Sequence, residues 1–277
     1  NHSDATMNLK DKITEQPSHY EHLEKMNPSE ILYAINDEDH LVAEAVRKAI
    51  PQILNLVEKA EARMRNGGRI FYIGAGTSGR LGVLDASELP PTFGVSADLV
   101  IGIIAGGDAA LRTAVEKAED ITEKGWEDIL VHHPAKNDVV IGIAASGMTP
   151  YVIGAITRAR ENGLMTGCIT SNPRSPLAQI SECPIETVVG PEFLSGSSRM
   201  KSGTAQKMVL NMISTCLMIR MGRVQGNQMV NMQLTNEKLI ERGIRMIRAS
   251  ITIDEKEARD LLLKYGSVRK VLESFPT

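Results

Sequence analysis

The stretch GRIFYIGAGTSGRLGVLDASELPPTFG, residues 68–94, joins a short apolar run to a loop of glycines and hydroxyl side chains. The apolar residues 70–73 predict a buried strand, and the residues that follow GAGTSGR, 74–80, predict the start of a helix. Glycines let a backbone approach a ligand closely, hydroxyls form hydrogen bonds, and a helix N-terminus presents oriented N–H groups. The stretch therefore predicts an anion site at the end of a strand.

Apolar runs of strand length alternate with helical patterns through the middle of the chain. Strands are predicted at 69–74, 99–105, 138–144, 166–170 and 184–189, and helices at about 109–124, 126–132 and 150–162. The second and third runs are almost continuously apolar, which is typical of strands covered on both faces. The alternation predicts an α/β fold with a doubly wound, five-stranded parallel sheet, in which ligands bind beyond the carboxyl ends of the strands.

The regions on either side of this core are expected to be helical. Residues 1–27 are polar and predict a solvated arm. Asn27 and Pro28 predict a short helix, Asn36 begins a longer one, and Pro51 should kink it. The domain prediction is an N-terminal arm with helices, an α/β core and a C-terminal helical region, at 1–66, 67–225 and 226–277.

Residues 204–220 predict a helix that is apolar almost all round. Such a helix is buried in a core or in an oligomer interface, and its methionines are filler rather than metal ligands. In the second case the helix would support a homodimer. An amphipathic helix is predicted within 226–247, and two short helices within 254–277.

The composition excludes several classes of protein. The 277 residues are 42% hydrophobic, with a formal net charge of −3 and a pI of about 6.1, which gives no electrostatic basis for binding nucleic acid or an anionic membrane. The 3 cysteines have no metal-type spacing and predict buried thiols of a reducing compartment. No run approaches the length of a membrane span, and the first residues lack the apolar centre of a signal peptide. The expectation is a cytoplasmic protein.

A second loop has the same arrangement as the first, between a strand and the start of a helix. Ala145-Ser146-Gly147-Met148-Thr149 follows the third predicted strand and precedes a helix that starts near Pro150. An ordinary N-cap is the alternative for each hydroxyl, but two such loops after central strands can converge on one phosphate. A dinucleotide is disfavoured, because no acidic residue ends the second strand about 20 residues further on.

Two glutamates are candidates for acid and base chemistry. Glu88 follows the first loop and precedes Pro90 and Pro91, while Glu119 is predicted on the helix after Gly106-Gly107. Glu116 and Asp120 are equally eligible by position, and either carboxylate could simply be solvated. The residues alone do not choose among them.

Five segments together resemble the N-acetylmuramic acid 6-phosphate etherase family, which has a three-layer α/β/α sugar isomerase (SIS) fold. They are GAGTSGRLGVLDASELPPTFG, IAGG, AVEKAED, GIAASGMTPYV and GSSRMKSGTAQKMVLNM, within about 36–238. The glucokinase regulatory protein is a close relative with the same fold. One departure is that the family usually has a longer helical C-terminal region.

The resemblance implies cleavage of the lactyl ether at C3 of the phosphosugar, giving N-acetylglucosamine 6-phosphate and D-lactate. It implies that Glu88 is the acid for the departing lactate and Glu119 the base, with Glu116 as the nearby alternative. It further implies that four hydroxyls bind the phosphate, those of Thr77, Ser78, Ser146 and Thr149.

This reaction suits two carboxyl groups. In the open-chain sugar, C2–H is acidic because it is α to the C1 aldehyde, and the C3 ether oxygen is a β leaving group. Elimination needs a base at C2 and an acid at the ether oxygen, followed by water addition at C3; no metal or other cofactor is required. The apolar neighbours of Glu88 predict that burial raises its pKa.

Other polar residues are weaker candidates for the same site. Arg199 and Lys201 lie in a Gly/Ser loop and could meet the phosphate or the lactyl carboxylate, with a solvated loop as the alternative. Glu192 could meet a sugar hydroxyl, and Asn236 and Glu237 could reach a neighbouring subunit. Two rival functions remain: an aldose–ketose isomerase of phosphosugars, and a non-enzymatic phosphosugar-binding regulator, which would not need both glutamates.

Overall fold

A five-stranded parallel sheet forms the centre of the computed structural model, which describes residues 12–115 and 117–275. The strands are β1 Ile70–Gly74, β2 Val100–Ile104, β3 Val139–Ile143, β4 Met165–Thr170 and β5 Cys183–Glu186. Their order across the sheet is β2-β1-β3-β4-β5. The predicted sheet is confirmed, and the strand ends differ from the prediction by at most three residues.

Helices cover both faces of the sheet. In the described chain the helices are α1 Pro28–Arg65, α2 Gly76–Phe93, α3 Lys124–Leu130, α4 Pro150–Glu161, α5 Pro176–Ile180, α6 Lys201–Arg220, α7 Glu237–Ser250, α8 Glu255–Tyr265 and α9 Val268–Glu273, and the first six cover the sheet. Ile70 and Tyr72 pack with α1, α2 and α6, whereas Phe71 and Ile73 pack with α3, α4 and α5. Alternate side chains of a strand point to opposite faces. The three-layer α/β/α architecture is therefore confirmed.

The N-terminal helix is continuous, so the prediction of two helices is wrong. Asn27 caps α1 in a capping box with Glu30. Ala34, Glu38 and Val42 are all buried, which shows that one packed stripe runs through the predicted break. Pro51 lies inside the helix at an exposed position.

The N-terminal arm was predicted to be solvated, but its described part is partly buried. Thr14 is 1% exposed, and its N–H donates to Asn172 Oδ1 at 3.2 Å. Asn172 Nδ2 donates back to Thr14 Oγ1 at 2.9 Å and to the carbonyl of Ser146 at 3.1 Å. The arm therefore packs on the loop that follows β4, and Asn172 connects it to the loop that follows β3.

The predicted helix over residues 109–124 is also wrong. The segment instead forms two 3-10 turns, Asp108–Leu111 and Ala118–Asp120, and Lys117 has a φ of +64°. Glu116, the alternative base, lies outside the described residues. Among the residues of this segment that are described, only Ala110 is buried, so no apolar stripe docks a longer helix on the sheet.

The C-terminal helices surround a core of their own. Val230, Ile247, Leu262 and Val271 are buried together between α7, α8 and α9, which confirms the predicted helices. The Gln233 N–H donates to the carbonyl of Pro91 at 3.0 Å and joins this region to α2. The domain boundaries stay a prediction. Across the described ranges, no helix is long and apolar enough to cross a bilayer.

Lys201 was predicted to bind the substrate, with a solvated loop as the alternative, but it lies neither in a loop nor at the surface. It is the first residue of α6, is 1% exposed, and forms an ion pair with Glu38 of α1, which is 7% exposed. The pair joins two helices of the same layer. It also withdraws the Lys201 ammonium from any ligand.

Replacing Lys201 with Met should lower the free energy of unfolding by about 3–5 kcal/mol, because Glu38 would be left buried without its partner. Lys59→Met is the matched control: Lys59 pairs with Glu182 at 3.0 Å, with side chains 44% and 42% exposed. It should cost less than about 1 kcal/mol. Urea denaturation measures both, and equal losses would contradict the assignment.

Candidate active site

The first hydroxyl loop lies where β1 ends and α2 begins. Gly76 starts α2 with a φ of +54°, a backbone conformation that glycine adopts without strain. The α2 N-cap is Ala75, so neither Thr77 nor Ser78 is an N-cap. Thr77 is half-buried, and Ser78 is buried with its Oγ donating to Gln206 Oε1 at 3.0 Å.

The second hydroxyl loop follows β3 and leads into α4. Gly147 has a φ of +67°, and Ser146 Oγ accepts a hydrogen bond from the Met148 N–H at 3.2 Å. Thr149 occupies the N-cap position of α4, but its side chain makes no capping hydrogen bond. The N-cap alternative therefore fails to account for the Thr149 hydroxyl.

The two loops flank the switch point of the sheet. β1 and β3 are hydrogen-bonded neighbours, with Gly74 opposite Ile143, and the chain crosses from β1 to β2 on one side and to β3 on the other. Crevices beyond the carboxyl ends of strands at such a point are the usual ligand sites of open α/β sheets.

A cavity of about 380 Å³ opens beside the first loop. Its lining includes Gly76, Arg80, Lys117 and Glu119. Arg80 Nε donates to the carbonyl of Leu111 at 3.1 Å and fixes the segment between β2 and Glu119 against α2. The structure thus brings exposed Glu119 together with the first turn of α2.

Glu88 lies elsewhere in the same chain. It is exposed on α2, so the predicted burial is wrong, and it does not line the cavity. At the helical rise it lies about 12 Å further along α2 than Arg80. The buried carboxyl of α2 is Asp85: burial raises its pKa, and the hydrogen bond donated by Ser214 Oγ at 3.1 Å opposes that shift. The sequence pattern therefore assigned burial to the wrong carboxylate.

The remaining polar candidates are either exposed to solvent or bonded to other parts of the protein. Arg199 is exposed in the loop before α6. Glu192 is fully buried and accepts from the N–H groups of Lys201 at 2.8 Å and Ser202 at 3.0 Å, so it binds the start of α6 rather than a sugar. Asn236 caps α7, and Glu237 pairs with Arg259 at 2.6 Å.

Gln206 and Asn172 were not predicted from the sequence. Their side chains form hydrogen bonds with Ser78 of the first loop and with the carbonyl of Ser146 in the second loop. Each is at most 1% exposed. A polar residue in the apolar stretch 204–220 was the available signal for Gln206. Asn172 carried none, because its partner Thr14 is far away in the chain.

The cysteines and the possible metal ligands can be judged from the described side chains. Cys168 and Cys183 are buried, as predicted, but Cys216 is exposed, so the prediction of buried thiols is wrong for it. Burial raises the pKa of the Cys168 thiol to about 11, so this cysteine is not a nucleophile near neutral pH. Within residues 12–115 and 117–275, no group of three or more His, Cys, Asp or Glu residues is arranged to hold a metal ion.

Replacing Gly147 with Ala should distort the second loop. The new Cβ would lie 2.1 Å from Ser175 Oγ at a φ of +67°, so we expect a loss of about 2–5 kcal/mol in unfolding free energy and a raised KM. Gly163→Ala is the control, with a φ of +77° and no atom within 4 Å of the Cβ. Its cost should be about 1–2 kcal/mol. Denaturation and substrate titration of both variants test this, and equal losses would refute the steric explanation.

Two family profiles match the sheet region. The profile of the glucokinase regulatory protein N-terminal SIS domain matches residues 52–160, and that of the SIS domain matches residues 130–215. Phosphoheptose isomerase from Neisseria gonorrhoeae superposes with a TM-score of 0.52 at 17% identity, covering 68% of this chain and 97% of that one. This likeness shows the fold, which agrees with the SIS fold expected from the sequence.

Curated relatives match over almost the whole chain. N-acetylmuramic acid 6-phosphate etherase of Bacteroides thetaiotaomicron is 64% identical over 95% of this chain and 95% of its own length. The etherase of Porphyromonas gingivalis strain W83 is 64% identical over 95% of this chain and 96% of its own. Against these relatives the expected shortening of the C-terminal region is not seen. At this identity and coverage, the chain belongs to the N-acetylmuramic acid 6-phosphate etherase family.

Proposed function

We propose that this protein is a carbon–oxygen lyase that cleaves the C3 lactyl ether of N-acetylmuramic acid 6-phosphate. The products would be N-acetylglucosamine 6-phosphate and D-lactate. The observation that carries the proposal is that Glu119 lines the same cavity as the first turn of α2. A carboxylate beside an anion-binding loop suits a base that acts on a phosphosugar.

The phosphate would bind between the two hydroxyl loops. The N-terminal turn of α2 and the Thr77 and Ser78 hydroxyls lie on one side, and Ser146, Gly147 and Thr149 on the other. A helix N-terminus favours a dianion through its free N–H groups and its dipole. Exposed Arg199 is available to a second anionic group, the lactyl carboxylate.

Glu119 would then remove the C2 proton of the open-chain sugar. The C1 aldehyde stabilises the resulting carbanion, and the C3–O bond breaks as the lactate leaves with a proton from Glu88. Water adds to the double bond at C3 and gives a proton to Glu88, while Glu119 returns the proton to C2. Glu119 is exposed, so an incoming sugar can reach its carboxylate.

A second copy of the chain would supply Glu88. Within one chain Glu88 is exposed on α2 and outside the cavity that contains Glu119. A homodimer in which α2 of one protomer approaches the site of the other would bring both carboxyls to one sugar. Exposed apolar side chains of α1 and α6, Leu32, Tyr33, Leu54 and Ile219, offer surface for such an interface.

The isomerase and the regulator are the competing functions, and the product separates them. Incubation with N-acetylmuramic acid 6-phosphate should release D-lactate, measured with a D-lactate dehydrogenase assay. In H₂¹⁸O, the label should enter the sugar at C3 and not the lactate. Interconversion of aldose and ketose without lactate would favour an isomerase, and binding without turnover a regulator.

Unpaired Cys168, Cys183 and Cys216 support a reducing compartment, and we propose the cytoplasm.

A further inference from the structure

Gln206 lies where the start of α6 packs against the start of α2. A Cβ at Gly203 would lie 3.4 Å from Thr77 Cγ2, so the first turns of the two helices are in contact. Near that contact, Ser78 Oγ donates to Gln206 Oε1 at 3.0 Å. The two side chains are 8% and 1% exposed. Gln206 therefore contacts, from inside the protein, a hydroxyl of the first loop.

The direction of this hydrogen bond conflicts with phosphate binding. Ser78 has one hydroxyl hydrogen, and here it points to Gln206 Oε1. Phosphate oxygens are acceptors, so Ser78 can donate to a phosphate only when that hydrogen is released. In contrast, Gln206 Nε2 is buried and has no hydrogen-bond partner among the described residues. The Gln206 amide oxygen thus accepts from Ser78, whereas phosphate binding by Ser78 needs a donor at this place. The Nε2 donor of the same amide is unused.

A half-turn of the Gln206 amide would resolve both problems. Nε2 would then donate to a lone pair of Ser78 Oγ, and the Ser78 hydrogen would be free to point towards the phosphate. Ser202 Oγ lies one turn earlier on the same face of α6, and it too is buried without a partner in the described part of the chain. Its unused hydroxyl hydrogen is a donor on the same face of α6 as Gln206.

We infer that Gln206 is a positioning residue for the phosphate site, and that the orientation of its amide decides whether Ser78 donates inward or to the substrate. This inference rests on the proposed function in placing Ser78 at the phosphate. Gln206 itself does not touch the substrate, because its amide is closed off behind Ser78.

Gln206→Glu tests the inference because a carboxylate can only accept, and would hold the Ser78 hydrogen permanently. We expect KM for the phosphosugar to rise about tenfold or more, as for Ser78→Ala, with kcat within about threefold of wild type. Ser214→Ala is the control for α2–α6 packing, since Ser214 Oγ donates to Asp85 on the same pair of helices. It should leave KM unchanged.

A double-mutant cycle separates this mechanism from charge repulsion. If the Gln206→Glu substitution acts through Ser78, it should raise KM no further in a Ser78→Ala background. Repulsion between the new carboxylate and the phosphate would raise KM by the same factor in both backgrounds. An additive cycle would therefore overturn the inference.

Gln206→Met is the second variant, in case a carboxylate prevents folding. Methionine offers neither donor nor acceptor at this position, so Ser78 should remain free to donate, and Ser78→Ala should weaken binding as much in this background as in wild type. Loss of that dependence on Ser78 would contradict the inference.

Calorimetric binding of N-acetylglucosamine 6-phosphate gives a readout that does not need turnover, with N-acetylglucosamine as the unphosphorylated control. The Gln206 and Ser78 effects should appear only with the phosphorylated sugar. A wild-type protein that binds this sugar but releases no lactate would refute the etherase proposal and leave the test of Gln206 intact.

Discussion

Glu119→Gln is expected to lower kcat for lactate release by about 10²–10⁴-fold, the usual contribution of a general base. Glutamine keeps the size of the side chain but cannot accept the C2 proton. Because Glu119 is exposed on the Ala118–Asp120 turn, the substitution should leave stability within about 0.5 kcal/mol of wild type. A stopped lactate assay at saturating substrate measures the loss.

The matched control is Asp120→Asn, which removes the same charge from the next exposed residue of the turn. It should retain wild-type kcat within about threefold. Hydrogen exchange provides a second readout: in D₂O, Glu119→Gln should incorporate no deuterium at C2. Activity of Glu119→Gln within tenfold of wild type, or an equal loss in Asp120→Asn, would remove Glu119 from the role of base.

Glu88→Gln should also lower lactate release by about 10²–10⁴-fold, but at a different step. With Glu119 intact, the C2 proton can still leave and return. The variant should therefore exchange C2 hydrogen with solvent while the C3–O bond stays unbroken. NMR in D₂O detects the exchange, and the lactate assay detects the cleavage. Asp98→Asn, an exposed acid just after α2, should be unaffected.

Mixing the two inactive variants tests which protomer provides Glu88. If each site combines Glu119 of one protomer with Glu88 of its partner, random mixing should restore about a quarter of wild-type activity, since half of the dimers are mixed and each has one intact site. If one protomer supplied both residues, every site would lack one carboxyl and the mixture would stay inactive. That result would sink the proposal of a shared site.

Much of the fold followed from local pattern. The apolar runs around 70–73 and 139–143 and the glycines after them predicted both the strands and the two loops at the switch point. The continuity of α1 could not be predicted, because Asn36-Asp37-Glu38-Asp39 reads locally as a helix start. The burial of Glu38 against Lys201 depends on residues that are distant in sequence.

The residue types in the sequence were enough to propose a candidate site, but not to predict its geometry. Helical periodicity around Glu119 was misleading, since the segment has too little buried apolar surface to hold a helix. For Glu88, the neighbouring Leu89 and Phe93 are buried, as the pattern indicated, but a helix turns each side chain in a different direction and Glu88 faces out. Apolar neighbours in sequence are therefore weak evidence for burial of a charged helical residue.

The buried carboxylate of Glu192 affects which helix start can attract an anionic ligand. Two helices begin side by side, but the partial positive charge at the start of α6 is already balanced by Glu192, whereas the first turn of α2 contains no acidic residue. Only one of the two helix starts is left to attract an anion. The start of α2 should then bind the phosphate dianion in preference to the monoanion. Affinity for a phosphosugar should therefore decline as the pH falls below about 6, where the second phosphate proton binds.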